Sequence, residues 1–244
     1  MSVADIIAVL YTEVLHYKAD EPKWEERDRF ILSKGHAGAA IYAALAESGF
    51  FNIDELRSHY ANGSRLSGHV SHHLPGVDFS TGSLGHGLSA AAGMALAAKK
   101  NGKSHKVYVV LGDGECDEGS VWEAVLFANH FRLDNLVAIV DHNHMQSLDT
   151  CEHTLELESL AGKGAAFGWN VLSIPGNDLA ALDDAFGLAA QTKGKPTVII
   201  ANTVKGYGSP LMEDKAGWHH HLPNQEEYAQ IVADFAAREE ALNA

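Results

Sequence analysis

Four short segments rich in apolar residues, two of them unbroken, decide what this chain can become. Residues 107–111 (VYVVL) and 136–140 (LVAIV) are continuously apolar and rich in β-branched side chains, and 170–174 and 197–201 follow the same habit. A strand that shows no polar face has both faces covered, which is the habit of a parallel sheet between two layers of helix. Helical patterns at 120–131, 160–167 and 179–191 separate the runs. This alternation predicts an α/β fold, a parallel β-sheet with helices on both faces. Further helices are expected at 37–48, 88–100 and 225–242, and one near the start, where Ser2 and Asp5 read as a capping box ahead of Ile6, Val9, Leu10, Val14 and Tyr17. A short apolar run at 30–32 leads into the turn Ser33-Lys34-Gly35-His36. No internal repeat or linker interrupts the pattern, so residues 1–244 are read as a single domain.

Composition removes several classes of partner. Lys and Arg number 18 against 32 Asp and Glu, a net charge of −14, and no cationic cluster offsets it. Nucleic acid and anionic membrane are therefore excluded as partners, because both are bound mainly through clustered cations. The longest apolar stretch, 88–98, is about half of the roughly twenty residues a bilayer requires. The first residues lack the basic start and cleavage site of a secretory signal, so a cytoplasmic location is expected. Cys116 and Cys151 form no CxxC pair and are read as free thiols.

Chemistry concentrates where strands end. In open parallel sheets ligands sit beyond the carboxyl ends of the strands, and here Asp113 follows one buried run while Asn143 follows the next, 30 positions later. A carboxylate, an amide oxygen and a backbone carbonyl make a hard-oxygen set, suited to Mg²⁺ or Ca²⁺ and unsuited to Zn²⁺. Gly112 and Gly114 allow close backbone approach, and Gly119-Ser120 opens a helix whose N-terminus favours anions. Taken alone, G-D-G reads equally well as a turn after a strand. Residues 62–87 hold six glycines, a length of loop chemistry that compact domains seldom keep without function. Many of the 15 histidines gather in such glycine-rich places, among them His36, His69, His72, His73, His86 and His219 to His221. They show no H-E-x-x-H spacing, which argues against a metal-dependent hydrolase.

Read as a whole, G-D-G-E-C-D-E-G-S-V-W-E-A-V-L-F-A-N followed by L-D-N-L-V-A-I-V-D-H-N resembles the thiamine diphosphate motif in its transketolase form. Other landmarks similar to that family follow in collinear order: R-D-R-F-I-L-S-K-G-H ending at His36, S-G-H at His69, P-G-V-D-F-S-T-G-S-L-G-H-G from Pro75, G-W-N-V from Gly168, V-K-G-Y-G, and K-A-G-W-H ending at His219. The resemblance implies a thiamin diphosphate-binding fold of the diphosphate-binding type. It implies that Asp113, the Asn143 side chain and the Met145 carbonyl hold Mg²⁺, with Ca²⁺ or Mn²⁺ as substitutes, against the diphosphate of thiamine diphosphate, and that Gly114 touches that diphosphate through its backbone. His36 and His219 match the family's diphosphate-side and active-site histidines, and His69 the one beside the substrate's first hydroxyl. Gly82, Ser83 and Leu84 match the stretch against the aminopyrimidine ring. Glu118, placed with the catalytic and cofactor-binding groups, and Glu123 match acidic residues of the subunit interface.

The activity so implied is transfer of a two-carbon ketol unit from a ketose or ketose phosphate to an aldose or aldose phosphate, the chemistry of pentose phosphate metabolism. A complete transketolase carries three domains, and this chain resembles only the first. The expectation is therefore the N-terminal subunit of a split transketolase, active only with a separate C-terminal subunit in an α2β2 heterotetramer. An α-subunit of a 2-oxoacid dehydrogenase and a noncatalytic scaffold subunit are the alternatives. The family's S-G-H-P-G stretch is not matched ahead of Ser2, His86 stands where G-Q-G is usual, and His220 and His221 follow His219 where W-H-G is usual. No arginine cluster marks a phosphate grip, so the sugar is not read from the sequence.

Overall fold

The computed structural model describes residues 1–242. In chain order the helices are α1 (Ala4–Val9, continued by a wider turn over Leu10–Val14), α2 (Gly38–Glu47), α3 (Gly87–Lys100), α4 (Gly119–His130), α5 (Cys151–Thr154), α6 (Leu160–Ala166), α7 (Leu179–Gln191) and α8 (Gln225–Leu242). The strands are β1 (Arg29–Leu32), β2 (Val107–Gly112), β3 (Leu136–His142), β4 (Asn170–Pro175) and β5 (Thr197–Asn202). All pair in parallel, in the order β1-β2-β3-β5-β4. The register sets Gly112 of β2 opposite Asp141 of β3, so the two central strands end side by side.

Alternation along β2 sorts the core into two layers. Tyr108 and Val110 face one side, where Ile6 of α1 and Leu10 just after it, Ile41 and Leu45 of α2, and Leu182 and Phe186 of α7 cover the sheet. Val107, Val109 and Leu111 face the other, under Ala91 and Ala95 of α3, Val121 and Val125 of α4, and Leu160 of α6. Small side chains on α3 bring that helix close to the sheet. β3 is buried at every position, along the apolar run 136–140 and on through Asp141 and His142.

Three details depart from the sequence reading. Residues 30–32 belong to a fifth strand, which adds an edge beside β2. β3 continues through Asp141 and His142 before turning. The expected capping box does not form: α1 starts at Ala4 after an uncapped Val3, and Ser2 donates its hydroxyl to Asp141 at 2.7 Å. A buried carboxylate on the central strand outcompetes a helix end that can meet water instead.

Candidate functional site

Four strand ends meet along one rim: Ser33 and Lys34 after β1, Asp113 after β2, Asn143 after β3, and Thr203 to Lys205 after β5. Asp113 is buried, and its two oxygens accept the N–H groups of Gly114 at 2.8 Å and His144 at 2.7 Å. Burial still holds its carboxyl above the usual carboxylate range. Each oxygen keeps further acceptor capacity, and a cation placed there would reverse the penalty of burial. Asn143 accepts the Met145 N–H at 3.1 Å through Oδ1 and donates from its amide nitrogen to Ser2 Oγ at 3.3 Å. Its oxygen is thereby turned toward the same side as Asp113 and the Met145 backbone, all three of which border one cleft.

The cleft holds two lysines. Lys34 Nζ lies 2.6 Å from Oδ2 of Asp141, whose carboxylate also accepts the hydroxyls of Ser2 and Thr203. Burial alone would lower the Lys34 ammonium, but the charge and hydrogen bond of Asp141, with the nearby Asp113 and Glu115, together hold it above its ordinary value. Burial likewise opposes ionisation of Asp141, and Lys34 overrides it to hold that carboxyl low. Lys205 has no carboxylate partner among the described residues; burial and the neighbouring Lys34 lower its pKa. It donates to His219 Nδ1 at 3.0 Å, and burial followed by that lysine push the His219 imidazole down to about 4. Since Nδ1 accepts from an ammonium, the neutral ring carries its proton on Nε2. His36 is lowered by burial and by His69, whose ring meets it edge to face at 4.7 Å.

The glycine-rich segment lies across the β1 end. Thr81 donates its hydroxyl to the Leu32 carbonyl at 2.7 Å, and a Cβ on Gly35 would come within 2.7 Å of the Thr81 backbone, so only glycine permits this approach. Gly82 similarly leaves room for His69, whose ring would stand 3.2 Å from a Cβ there. Glu115 fastens the segment from below, accepting from Ser33 Oγ, from the Gly85 N–H at 2.9 Å and from the Gly112 N–H at 3.1 Å. Burial pushes its carboxyl up despite these bonds.

Of the residues singled out in the sequence, His36, Leu84, Asp113, Gly114, Asn143, Met145 and His219 border this cleft. His69 and Gly82 reach it through the ring of His36. Ser83, Glu118 and Glu123 are exposed and stand outside it, with Glu118 at the N-terminus of α4 and Glu123 one turn on. His86 folds back on its own loop, Nδ1 at 3.0 Å from the Leu84 carbonyl, and His221 pairs with Glu227 at 2.9 Å, so of the added imidazoles only His220 borders the cleft. Lys34, Glu115, Gln146 and Lys205 were not singled out, although Lys34 and Lys205 sit in the short segments that leave β1 and β5. The thiols are free and buried, and burial pushes Cys151 up to about 12 and raises Cys116, which leaves both protonated and poor ligands.

The fold is a parallel α/β sheet with a polar cleft at its strand ends, and the comparison with known proteins names the class. The family described as "Transketolase, thiamine diphosphate binding domain" matches residues 1–240, and the chain belongs to it. One of the subunits of the apulose-4-phosphate transketolase of Phocaeicola vulgatus is 40% identical over 242 residues, a match covering 99% of this chain and 86% of that subunit. A 6-deoxy-6-sulfo-D-fructose transketolase subunit of a Clostridium species is 41% identical over 235 residues, covering 96% and 86%. Among solved structures, transketolase from Leishmania mexicana superposes with a TM-score of 0.86 at 36% identity over 94% of this chain. The match covers 36% of that longer protein, so this chain corresponds to about a third of the Leishmania transketolase and to most of the separate Phocaeicola subunit.

Proposed function

We propose that this chain is the N-terminal subunit of a two-subunit transketolase, transferring a two-carbon ketol unit between a ketose donor and an aldose acceptor with thiamine diphosphate and Mg²⁺. The observation that carries the reading is the rim itself: a hard-oxygen triad of Asp113, Asn143 and Met145 faces two lysines across one cleft. That donor set fits Mg²⁺, which takes oxygen ligands and shares phosphate oxygens, and it offers nothing to a thiophilic ion. Lys34 and Lys205 supply positive charge for a diphosphate, with Gly114 as backbone contact. When bound, thiamine diphosphate supplies the carbanion chemistry of the transfer.

The protein's part is positioning and charge. Leu84 lines the cleft on the side assigned to the aminopyrimidine ring, and Glu115 holds the stretch that also carries Gly82 and Ser83 from beneath. His219 presents an Nε2–H and stays neutral at pH 7, which suits it to donate a hydrogen bond to a ligand oxygen rather than to release a proton. His36 and His69 stand together at the open side, where substrate hydroxyls would arrive.

Several groups of the site face outward. Glu118 and Glu123 are exposed, and Leu126 and Phe127 of α4, at 56% and 38% exposure, continue the Glu123 face at helical spacing. An apolar and acidic face of this kind supports an assembly in which a C-terminal subunit completes the site, as α2β2, and we read residues 1–244 as one domain of it. The relatives' names carry a phosphorylated and a sulfonated sugar. No arginine lines the cleft among the described residues, so the anionic end of such a sugar or sugar phosphate falls to the partner. We place the complex in the cytoplasm, which suits two unpaired thiols. Among the described residues no helix is long and apolar enough to cross a membrane.

The test is a calorimetric titration of thiamine diphosphate with Mg²⁺ into this chain, alone and mixed with a candidate C-terminal subunit. Binding that appears or tightens strongly in the mixture, together with ketol transfer there alone, supports the split enzyme. Absence of binding in both would leave a scaffold.

A further inference from the structure

A second group of metal-ligating side chains lies at the β3 end, outside the cleft of the two lysines but lining an adjoining cavity together with Asp113, Asn143 and Met145. His142 closes β3 and is buried. Its Nδ1 stands 3.1 Å from Oδ1 of Asn202, the last residue of β5. The Asn202 amide nitrogen donates to the Ile174 carbonyl at 3.0 Å and to Ser173 Oγ at 3.1 Å, which fixes its oxygen toward the ring. His142 therefore donates from Nδ1, and the neutral ring carries a lone pair on Nε2. That nitrogen points at Glu158 Oε1, 3.0 Å away. A lone pair and a carboxylate oxygen repel at this distance unless positive charge joins them, either as a proton or as a metal ion.

The surroundings supply a further ligand. Glu158 is steered by its second oxygen, which accepts the Leu160 N–H at 3.3 Å where α6 begins. His144 brings a second imidazole, its ring centroid 3.9 Å from that of His142. Its backbone is held on both sides, the N–H donating to Asp113 at 2.7 Å and the carbonyl accepting from Cys151 at 2.9 Å. One donor atom from each of His142, His144 and Glu158 lies within 4.8 Å of the other two. Ligands about 2.0–2.1 Å from a zinc ion at tetrahedral angles stand about 3.3 Å apart, close to the His142–Glu158 spacing, and a turn of the exposed His144 side chain closes the third. A ligand histidine whose other N–H is engaged by a carbonyl oxygen is the usual arrangement around such ions.

We propose that His142, His144 and Glu158 form a binding site for a zinc-class divalent ion, adjoining the oxygen set of Asp113, Asn143 and Met145 but made of different donors. Two imidazoles and one carboxylate match Zn²⁺ and its first-row neighbours and disfavour Mg²⁺. The ion would join the β3 end to the segment entering α6, leaving a fourth position for water. The hydrogen bond from His144 to Asp113 links this site to the cofactor rim. The assignment does not rest on the ketol-transfer reading.

The test uses the full chain freed of metal and titrated with Zn²⁺ against a chromophoric chelator, with excess Mg²⁺ present throughout. One equivalent is expected to bind and to raise the melting temperature. His144→Ala and Glu158→Gln, both at exposed positions, are each expected to weaken Zn²⁺ binding by at least about tenfold and to abolish the thermal shift. His72→Ala and His220→Ala, outside the cluster, are expected to leave Zn²⁺ affinity unchanged. Lack of stoichiometric binding would overturn the site. So would affinity unchanged in both variants, or affinity lost instead in His72→Ala or His220→Ala.

Discussion

The carboxylate of Glu115 accepts the backbone N–H of Gly85 at 2.9 Å, across 30 residues of sequence. The same oxygen receives the Ser33 hydroxyl, and Ser33 in turn accepts the Gly87 N–H at 3.1 Å. One side chain thus gathers the β1 end, the glycine-rich segment and the β2 end. Glu115→Ala strands three donors, and at about 1–3 kcal/mol for an unsatisfied buried group, partly relieved by relaxation, a loss of about 2–4 kcal/mol is expected in urea denaturation. Glu115→Gln, which keeps the shape and most acceptor capacity, is expected to lose less than half as much. An alanine variant of unaltered stability would show that the clasp contributes nothing.

Lys34 and Asp141 form the second test of the rim. Removing one member of a buried pair leaves the other charge uncompensated, so Lys34→Met is expected to cost about 3 kcal/mol, read from the shift of the denaturation midpoint. Adding Asp141→Asn to that variant is expected to recover part of the loss. A double variant no better than the single would mean that Ser2 and Thr203 already satisfy Asp141 without the lysine.

Asp113→Ala is expected to abolish Mg²⁺-dependent binding of thiamine diphosphate in the assembled complex, measured by calorimetry. Unaltered binding would remove Asp113 from the metal site.

His69 stands edge to face with His36 at the open side of the cleft and is exposed. His69→Ala is expected to slow ketol transfer by about a hundredfold, the scale of a lost acid, base or charge-stabilising group, while cofactor affinity stays nearly constant. A collapse of affinity in its place would move His69 to the diphosphate side.

His219 gives a pH dependence of definite sign. Its folded value of about 4 lies below the ordinary value of about 6.5, so the unfolded chain takes up the proton first as pH falls. The stability associated with the neutral ring is full above the ordinary value, declines through the interval, and is lost once pH passes the folded value. Because the ring is partly exposed, solvent screening limits the effect to about 1 kcal/mol or less. Denaturation midpoints at pH 7 and pH 5 are expected to differ more for the wild type than for His219→Asn. Imidazole NMR shifts should show Nε2–H at both values.

What could be read from the sequence follows from how local each signal is. β2 and β3 declare themselves because strands buried on both faces have no polar alternation to blur them. Asp113 and Asn143 were legible because one crossover fixes the spacing between neighbouring strand ends. β1 escaped because four residues are too few to show a period. Lys34 and Asp141 are 107 positions apart, and Ser2 and Asp141 are 139 apart, so no window along the chain holds either pair. The capping box misled for the same reason, since the residue that should have capped its own helix was taken by a distant carboxylate. Glu115 was visible as a letter in G-D-G-E-C, but its duty to Gly85 and Ser33 exists only after folding.

Thr81 marks a seam in the long glycine-rich segment. Beyond it, three anchors, Thr81 on Leu32, Gly85 on Glu115 and Gly87 on Ser33, tie the backbone to the ends of β1 and β2. Before it, many of the bonds are internal to the segment or its immediate entry, such as Ser58 to Ser64, the Tyr60 N–H to the Leu66 carbonyl, and His72 to Ser80. The upstream part is thus seated on the core by the apolar side chains of Leu66, Val70 and Leu74, whereas the downstream part hangs on polar bonds to the ends of the sheet.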